Sequence, residues 1–98
     1  MNVRVSDNAE CDLENGFWFY EHQAEGVGAY FRESLLADLE SLRVLGGMHE
    51  ICLGYHCMPA KRFPYAIYYE IIDNGVSVIA VLDARRDPDW VVERLDRG

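Results

Sequence analysis

Ninety-eight residues, half of them hydrophobic and 27% charged, fit one small globular domain and exclude a multidomain or disordered chain. Such a domain buries only about 60–65% of the surface its unfolded chain exposes, so a protein partner or self-association is an expected supplement to a thin core. Seventeen acids against nine bases give a net charge of −8, and non-specific nucleic-acid binding, which needs a basic face, is disfavoured.

The charge is unevenly spread. Residues 1–50 hold ten acids and three bases, and residues 51–98 hold seven and six. No apolar run approaches the roughly 20 residues that cross a membrane, and the polar stretch from Met1 to Ala9 has no signal-peptide core. The expected location is the cytoplasm. Three cysteines cannot all pair within one chain, so thiols in a reducing compartment are expected.

Residues 2–6 alternate polar and apolar, as a short strand does. Ser6, Asp7 and Asn8 then offer helix-capping side chains. Ala9, Leu13, Phe17, Tyr20 and Ala24 recur at steps of three or four, which places them on one helix face. Asp7, Glu10, Asp12 and Glu14 sit in the first turns, where the helix dipole favours negative charge. Gly26 and Gly28 break the pattern. A second helical run carries Val27, Phe31, Leu35, Leu39 and Leu42, and Gly46-Gly47 ends it.

Residues 50–58 are expected to form one strand. Residues 63–72 are aromatic and β-branched, which suits a strand, with Pro64 near its start or on an edge. Asp73-Asn74-Gly75 is a hairpin signal, because Asn-Gly tolerates the positive φ angles of a type I′ turn. Residues 76–82 read as a return strand, apolar on both faces and so central. Asp87-Pro88 resembles an N-cap followed by proline at the first helical position, opening a helix over 88–96 that docks Trp90, Val91 and Leu95. The order β-α-α-β-β-β-α predicts an α+β domain, with a mostly antiparallel sheet packed against a helical hairpin.

Lys61-Arg62-Phe63-Pro64-Tyr65-Ala66-Ile67-Tyr68-Tyr69 precedes Val81-Leu82-Asp83-Ala84-Arg85-Arg86-Asp87-Pro88. Together they resemble the RelE/ParE toxin superfamily, in its ParE-like branch, and the acidic first helix, Gly-x-Gly break and leucine-rich second helix extend the likeness over essentially the whole chain. The resemblance implies the toxin of a type II toxin–antitoxin (plasmid-stabilisation-like) module, with a small antitoxin as partner. ParE-like members are associated with inhibition of DNA gyrase, and RelE-like members cleave mRNA in the ribosome.

Metal-free RNA cleavage needs a base for the 2′-hydroxyl, charge stabilisation of the phosphate and an acid for the leaving oxygen. The candidates are Lys61, Arg62, Arg86 and His56, with Arg85 beside them. Arg86 falls where the family's strand-end arginine sits. Ribosome-dependent members carry an arginine in the middle strand, where this chain places Tyr65, and no tyrosine lies beyond Tyr69. Inhibition by protein contact is therefore the leading expectation, with a ribosome-dependent endonuclease and a non-toxic binding module as alternatives. The expected contact residues are Lys61, Arg62, Tyr65, Arg85, Arg86 and Trp90. No cofactor is expected, and a homo- or hetero-oligomer is left open.

Each of these residues also has a structural reading. Arg85 and Arg86 flank Asp83 and Asp87 and could form a local ion-pair network. On a strand, only one of two adjacent arginines would face a site. Lys61 and Arg62 could protect the start of a strand from edge-to-edge pairing. His49, Cys52, His56 and Cys57 are zinc-ligand types, but on a single strand Cys52 and His56 would face one way and His49 and Cys57 the other, so no metal site is expected. Phe17, Trp18, Phe19 and Tyr20 are consecutive, so at least one should be exposed.

Overall fold

A computed structural model describes every residue from Met1 to Gly98. The element order is β1 (Val3–Val5), α1 (Asp7–Glu21), α2 (Val27–Leu45), β2 (Ile51–Cys52), β3 (Tyr55–Pro59), β4 (Tyr65–Ile72), β5 (Gly75–Asp83) and α3 (Pro88–Asp96). The strands form one sheet in the order β1-β5-β4-β3-β2. Only β1 runs parallel to its neighbour, pairing Val3–Val5 with Val76–Val78 of β5, an interior strand beside the central β4. The α+β arrangement is the expected one, with one strand more than the sequence suggested.

Ser6 caps α1 by accepting the Ala9 amide at 3.1 Å. Ala9, Gly16 and Tyr20 are buried on its inner side, while Trp18 and Phe19 are each 49% exposed, which resolves the aromatic run. The helix stops at Glu21, so Ala24 lies in the connection and is exposed, not on the core face. The Glu21 carboxylate accepts the amides of Gly26 and Gly28 and thereby caps α2. A Cβ at Gly28 would lie 2.7 Å from the Phe17 carbonyl oxygen. Glycine is what lets the two helices approach so closely.

The segment 50–58 is not one strand. Leu53 (φ 55°) and Gly54 (φ 89°) both adopt left-handed conformations, and this two-residue turn folds β2 back onto β3, pairing Ile51 with His56 and Cys52 with Tyr55. A leucine in a left-handed turn position carries no sequence signal. At the expected 73–75 turn, the left-handed pair is Asp73 and Asn74. Gly75 is already the first residue of β5.

The sheet is covered on both faces. Tyr65, Ile67, Tyr69, Val76, Val78 and Val81 join Phe31, Leu35, Leu39 and Leu42 beneath the helix pair. Ala66, Tyr68, Ala80 and Leu82 pack on the opposite face with Val91 and Leu95 of α3. A bulge makes this possible. Tyr68 pairs with Ala80 and Tyr69 with Val78, leaving Ile79 without a partner. The extra residue inverts the alternation, so Val76 and Val78 face one core, Ala80 and Leu82 the other, and Val81 returns to the first.

Candidate functional site

Beyond the end of β1, α1 takes over the flank of β5. Ser6 donates its amide to the Val78 carbonyl at 3.1 Å, and Asp12 accepts the Val81 amide at 3.0 Å. The same Asp12 carboxylate receives Arg94 of α3 through Nη2 at 2.6 Å and Nε at 3.3 Å. The pair is almost enclosed, with side chains only 9% and 11% exposed for Arg94 and Asp12. Burial outweighs the attraction of the Val81 amide and the Arg94 guanidinium, so the Asp12 carboxyl titrates above its ordinary value. This tie joins α1, β5 and α3 at one end of the sheet.

A cleft of ≈ 300 Å³ opens at that junction. Asp12, Asn15, Gly16 and Phe19 form its α1 wall, and Tyr65, Asp83, Arg86 and Trp90 lie across from them. Of the residues expected from sequence, Tyr65, Arg86 and Trp90 are brought together here. The Arg86 guanidinium lies 3.9 Å from the Trp90 ring centroid, which holds an exposed cation over an aromatic face. Burial pushes the Tyr65 hydroxyl up to about 12, with Tyr20 and Asp83 adding to it, so at neutral pH this group keeps its proton and does not act as a base.

Arg85 does not line the cleft. It grips Asp83 through Nε at 3.0 Å and Nη2 at 2.8 Å, and its own amide reaches the same carboxylate at 2.8 Å. Hydrogen bonding from Arg85 holds the Asp83 carboxyl below its ordinary value and, reciprocally, raises the Arg85 guanidinium. One arginine of the two lines the cleft, and strand alternation is not the reason. β5 ends at Asp83, and both arginines sit in the turn before α3.

Lys61 and Arg62 are exposed in the β3–β4 connection and make no ion pair within the chain. The Lys61 amide donates to the buried Asp38 carboxylate of α2 at 3.2 Å, which fixes the loop but not its charged tips. His56 is remote. It pairs with Tyr69 on β4, four residues from Tyr65, which is about 13 Å along a strand. The four groups considered for RNA cleavage do not converge.

His56 serves a different cluster. Its ring stacks on Tyr69 at 5.0 Å, and its Nδ1 lies 2.6 Å from the His49 carbonyl. The Tyr69 hydroxyl accepts the Gly47 amide at 2.9 Å and also bonds His49 Nδ1. If the hydroxyl donates to His49 Nδ1, all three groups are satisfied and His49 is neutral with its proton on Nε2. Burial, reinforced by His56, holds His49 below its usual value. The hairpin also rearranges the zinc-type donors. It places Cys52 beside Tyr55 and Cys57 on one face, and Ile51 and His56 on the other. Sulfur and imidazole donors are therefore segregated, and no group of three or more His, Cys, Asp or Glu is placed to hold a metal ion.

The α1 contribution to the cleft was missed in the sequence. Its one available signal was Gly16 inside a helical run, which marks a close approach. A Cβ there would lie 2.5 Å from Cζ of Phe31 and 3.3 Å from the Tyr65 hydroxyl.

No protein-family profile matches the chain, and no curated protein does. The α+β sheet with its helical hairpin nevertheless defines a ParE-like fold. A chain from the chromosomal ParDE toxin–antitoxin system of P. aeruginosa superimposes with a TM-score of 0.74, covering 83% of this chain and 92% of that one at 10% sequence identity. The likeness is one of fold, and it agrees with the architecture implied by the motif resemblance. No helix is long and apolar enough to cross a membrane.

Proposed function

We propose that the protein is the toxin component of a type II toxin–antitoxin pair, neutralised by a small antitoxin and acting on its target, DNA gyrase, by protein contact. The observation that carries this reading is the fold shared with a ParDE component over 83% of the chain. The chemistry of the cleft favours contact over cleavage. Arg85 is committed to Asp83, Arg86 to Trp90, Tyr65 stays protonated, and His56 lies on a different part of the sheet. An aromatic cleft with one exposed arginine suits recognition of a protein surface, where Trp, Tyr and Arg supply most of the binding energy.

The test is inducible expression, alone and with the neighbouring small open reading frame, while growth and pulse-labelled DNA and protein synthesis are followed. Growth arrest relieved by the neighbour supports the pair. Early failure of DNA synthesis, with loss of supercoiling by purified gyrase, supports the target. Early failure of translation with cuts in ribosome-bound mRNA replaces gyrase with the ribosome, and normal growth with soluble protein leaves a non-toxic binding module. Arg86→Ala and Trp90→Ala are expected to weaken the arrest, while Lys61→Ala is expected to have less effect.

A further inference from the structure

Cys52 and Cys57 occupy one diagonal of the β2–β3 hairpin. Cys52 stands opposite Tyr55, and the Cys57 amide donates to the Glu50 carbonyl at 3.0 Å, so the two cysteines share a face one ladder step apart. In a flat ladder such a diagonal spans about 7–8 Å, just beyond the roughly 6.8 Å between Cα atoms that a disulfide bridges. A two-stranded ribbon twists more strongly than a sheet, which shortens one diagonal on each face. Leu53 and Gly54 both have positive φ, the turn geometry that matches this twist. Cys52–Cys57 is the shortened diagonal, because the two thiols are hydrogen-bonded to each other.

The surroundings suit a thiol pair that reacts. Both cysteines are partly exposed. Cys52 belongs to a two-residue edge strand that few ladder bonds hold, and its thiol donates to Glu50 Oε1 at 3.8 Å. Cys57 is hydrogen-bonded by Tyr68, its ladder partner on β4. The third thiol, Cys11, stands apart on α1 among Asp7, Glu10 and Glu14. We propose that Cys52 and Cys57 form a reversible redox site, closing to a disulfide across the hairpin when a low-molecular-weight disulfide is the oxidant.

The chemistry is two exchanges. The Cys52 sulfur, having lost its proton, attacks one sulfur of the small disulfide and breaks its S–S bond. A mixed disulfide forms on Cys52, and the released thiolate takes up the proton. The Cys57 sulfur then attacks the Cys52 sulfur, breaks the mixed bond and releases the second small thiol, which takes the Cys57 proton. The hairpin gives up two electrons and two protons, and the small disulfide gains both. Burial, reinforced by Cys52, holds the Cys57 thiol above its usual value, which suits it to the second step, where proximity compensates for a small thiolate fraction. The product ties β2 to β3 across the turn at Leu53.

The experiment is equilibration of the full chain in buffers of increasing glutathione disulfide content, folded and in concentrated urea, then acid quenching, alkylation of remaining thiols and mass analysis of the chain and its peptides. In the folded protein Cys52 and Cys57 should leave the alkylated pool together, with loss of two hydrogens, while Cys11 stays free or carries a single glutathione. Cys11→Ser should leave this behaviour unchanged, and Cys57→Ser should leave glutathione held on Cys52. The equilibrium constant for closure should be at least tenfold larger folded than unfolded, because the fold holds the thiols together. The thermodynamic cycle then makes the oxidised chain more stable by at least about 1.4 kcal/mol, read as a higher urea midpoint. Cys52 and Cys57 that stay alkylatable wherever Cys11 reacts, mixed disulfides that never close, bonds between chains in place of the internal one, or a folded constant no larger than the unfolded one would each overturn the proposal.

Discussion

The Asp12–Arg94 pair predicts an asymmetry between its two halves. Arg94 is only 7% exposed, and its Nη1 is buried with no hydrogen-bond partner. Asp12 is thus the sole counter-charge to an enclosed guanidinium and the acceptor for the Val81 amide. Asp12→Ala leaves an unpaired buried cation and an unpaired buried amide, and removing one partner of such a pair costs about 3–5 kcal/mol. A domain of this size has only roughly 5–15 kcal/mol of stability. Arg94→Met should cost less, about 1–2 kcal/mol, because the carboxylate keeps the Val81 amide and can take up a proton. Since burial already raises the Asp12 carboxyl, the folded protein binds that proton before the unfolded chain does. The Arg94→Met deficit must therefore shrink as pH falls from 7 through the raised value. The double variant Asp12→Leu/Arg94→Met should be more stable than Asp12→Ala alone. Urea unfolding followed by circular dichroism at pH 7 and pH 5 measures all three. An Asp12→Ala cost below about 1 kcal/mol, or an Arg94→Met cost equal to it, would mean that Asp12 is not the counter-charge on which Arg94 depends.

Three further outcomes can be checked by urea and thermal unfolding followed by circular dichroism. Gly16→Ala should destabilise by about 1–3 kcal/mol, because the new Cβ meets the fully buried Phe31 ring and overpacking outweighs the gain in helix propensity; a stability at or above wild type would contradict the close approach. Leu53→Asn should stabilise by about 1 kcal/mol, seen as a higher Tm, since asparagine tolerates the left-handed turn that leucine resists. His49 is held below its usual 6.5, so its contribution to stability is complete above that value and is lost as pH falls from 6.5 towards the lower folded value. His49→Gln should flatten the fall in Tm between pH 7.5 and 5.5, and an unchanged slope would remove His49 as its cause.

The elements legible in the sequence were those with strong local signals. α1 and α2 followed from apolar spacing and from Ser6 and Gly46, β4 and β5 from their β-branched and aromatic runs, and α3 from Asp87-Pro88. The β2–β3 hairpin was illegible because its turn uses Leu53, a residue with no preference for the left-handed region. The bulge at Ile79 was hidden for another reason. β5 is apolar at nearly every position, so no alternation in the sequence records which face each residue takes. Tyr65 and Arg86 lie in the RelE/ParE-like segments, and Trp90 follows the second of them in the helix that Asp87-Pro88 opens. Asp12, Asn15 and Phe19 are separated from them by about half the chain or more, and only the packing of α1 against the end of β5 brings them into the cleft.

The pairing of β1 with β5 also governs the order in which the chain can assemble. Val3–Val5 have their ladder partners, Val76–Val78, far later in the chain, and Asp12 waits for the Val81 amide and for Arg94. Contacts so distant in sequence close late, because the loop entropy must be met before they contribute. A nascent chain that has emerged only as far as Gly75 has an unpaired N-terminal strand, an unanchored α1 and only part of the cleft's floor. The sheet therefore waits for β5, and the cleft waits for β5 and for Arg86 and Trp90 beyond it. Any factor that occupies β1 or α1 before β5 arrives would hold the protein in an unfinished form.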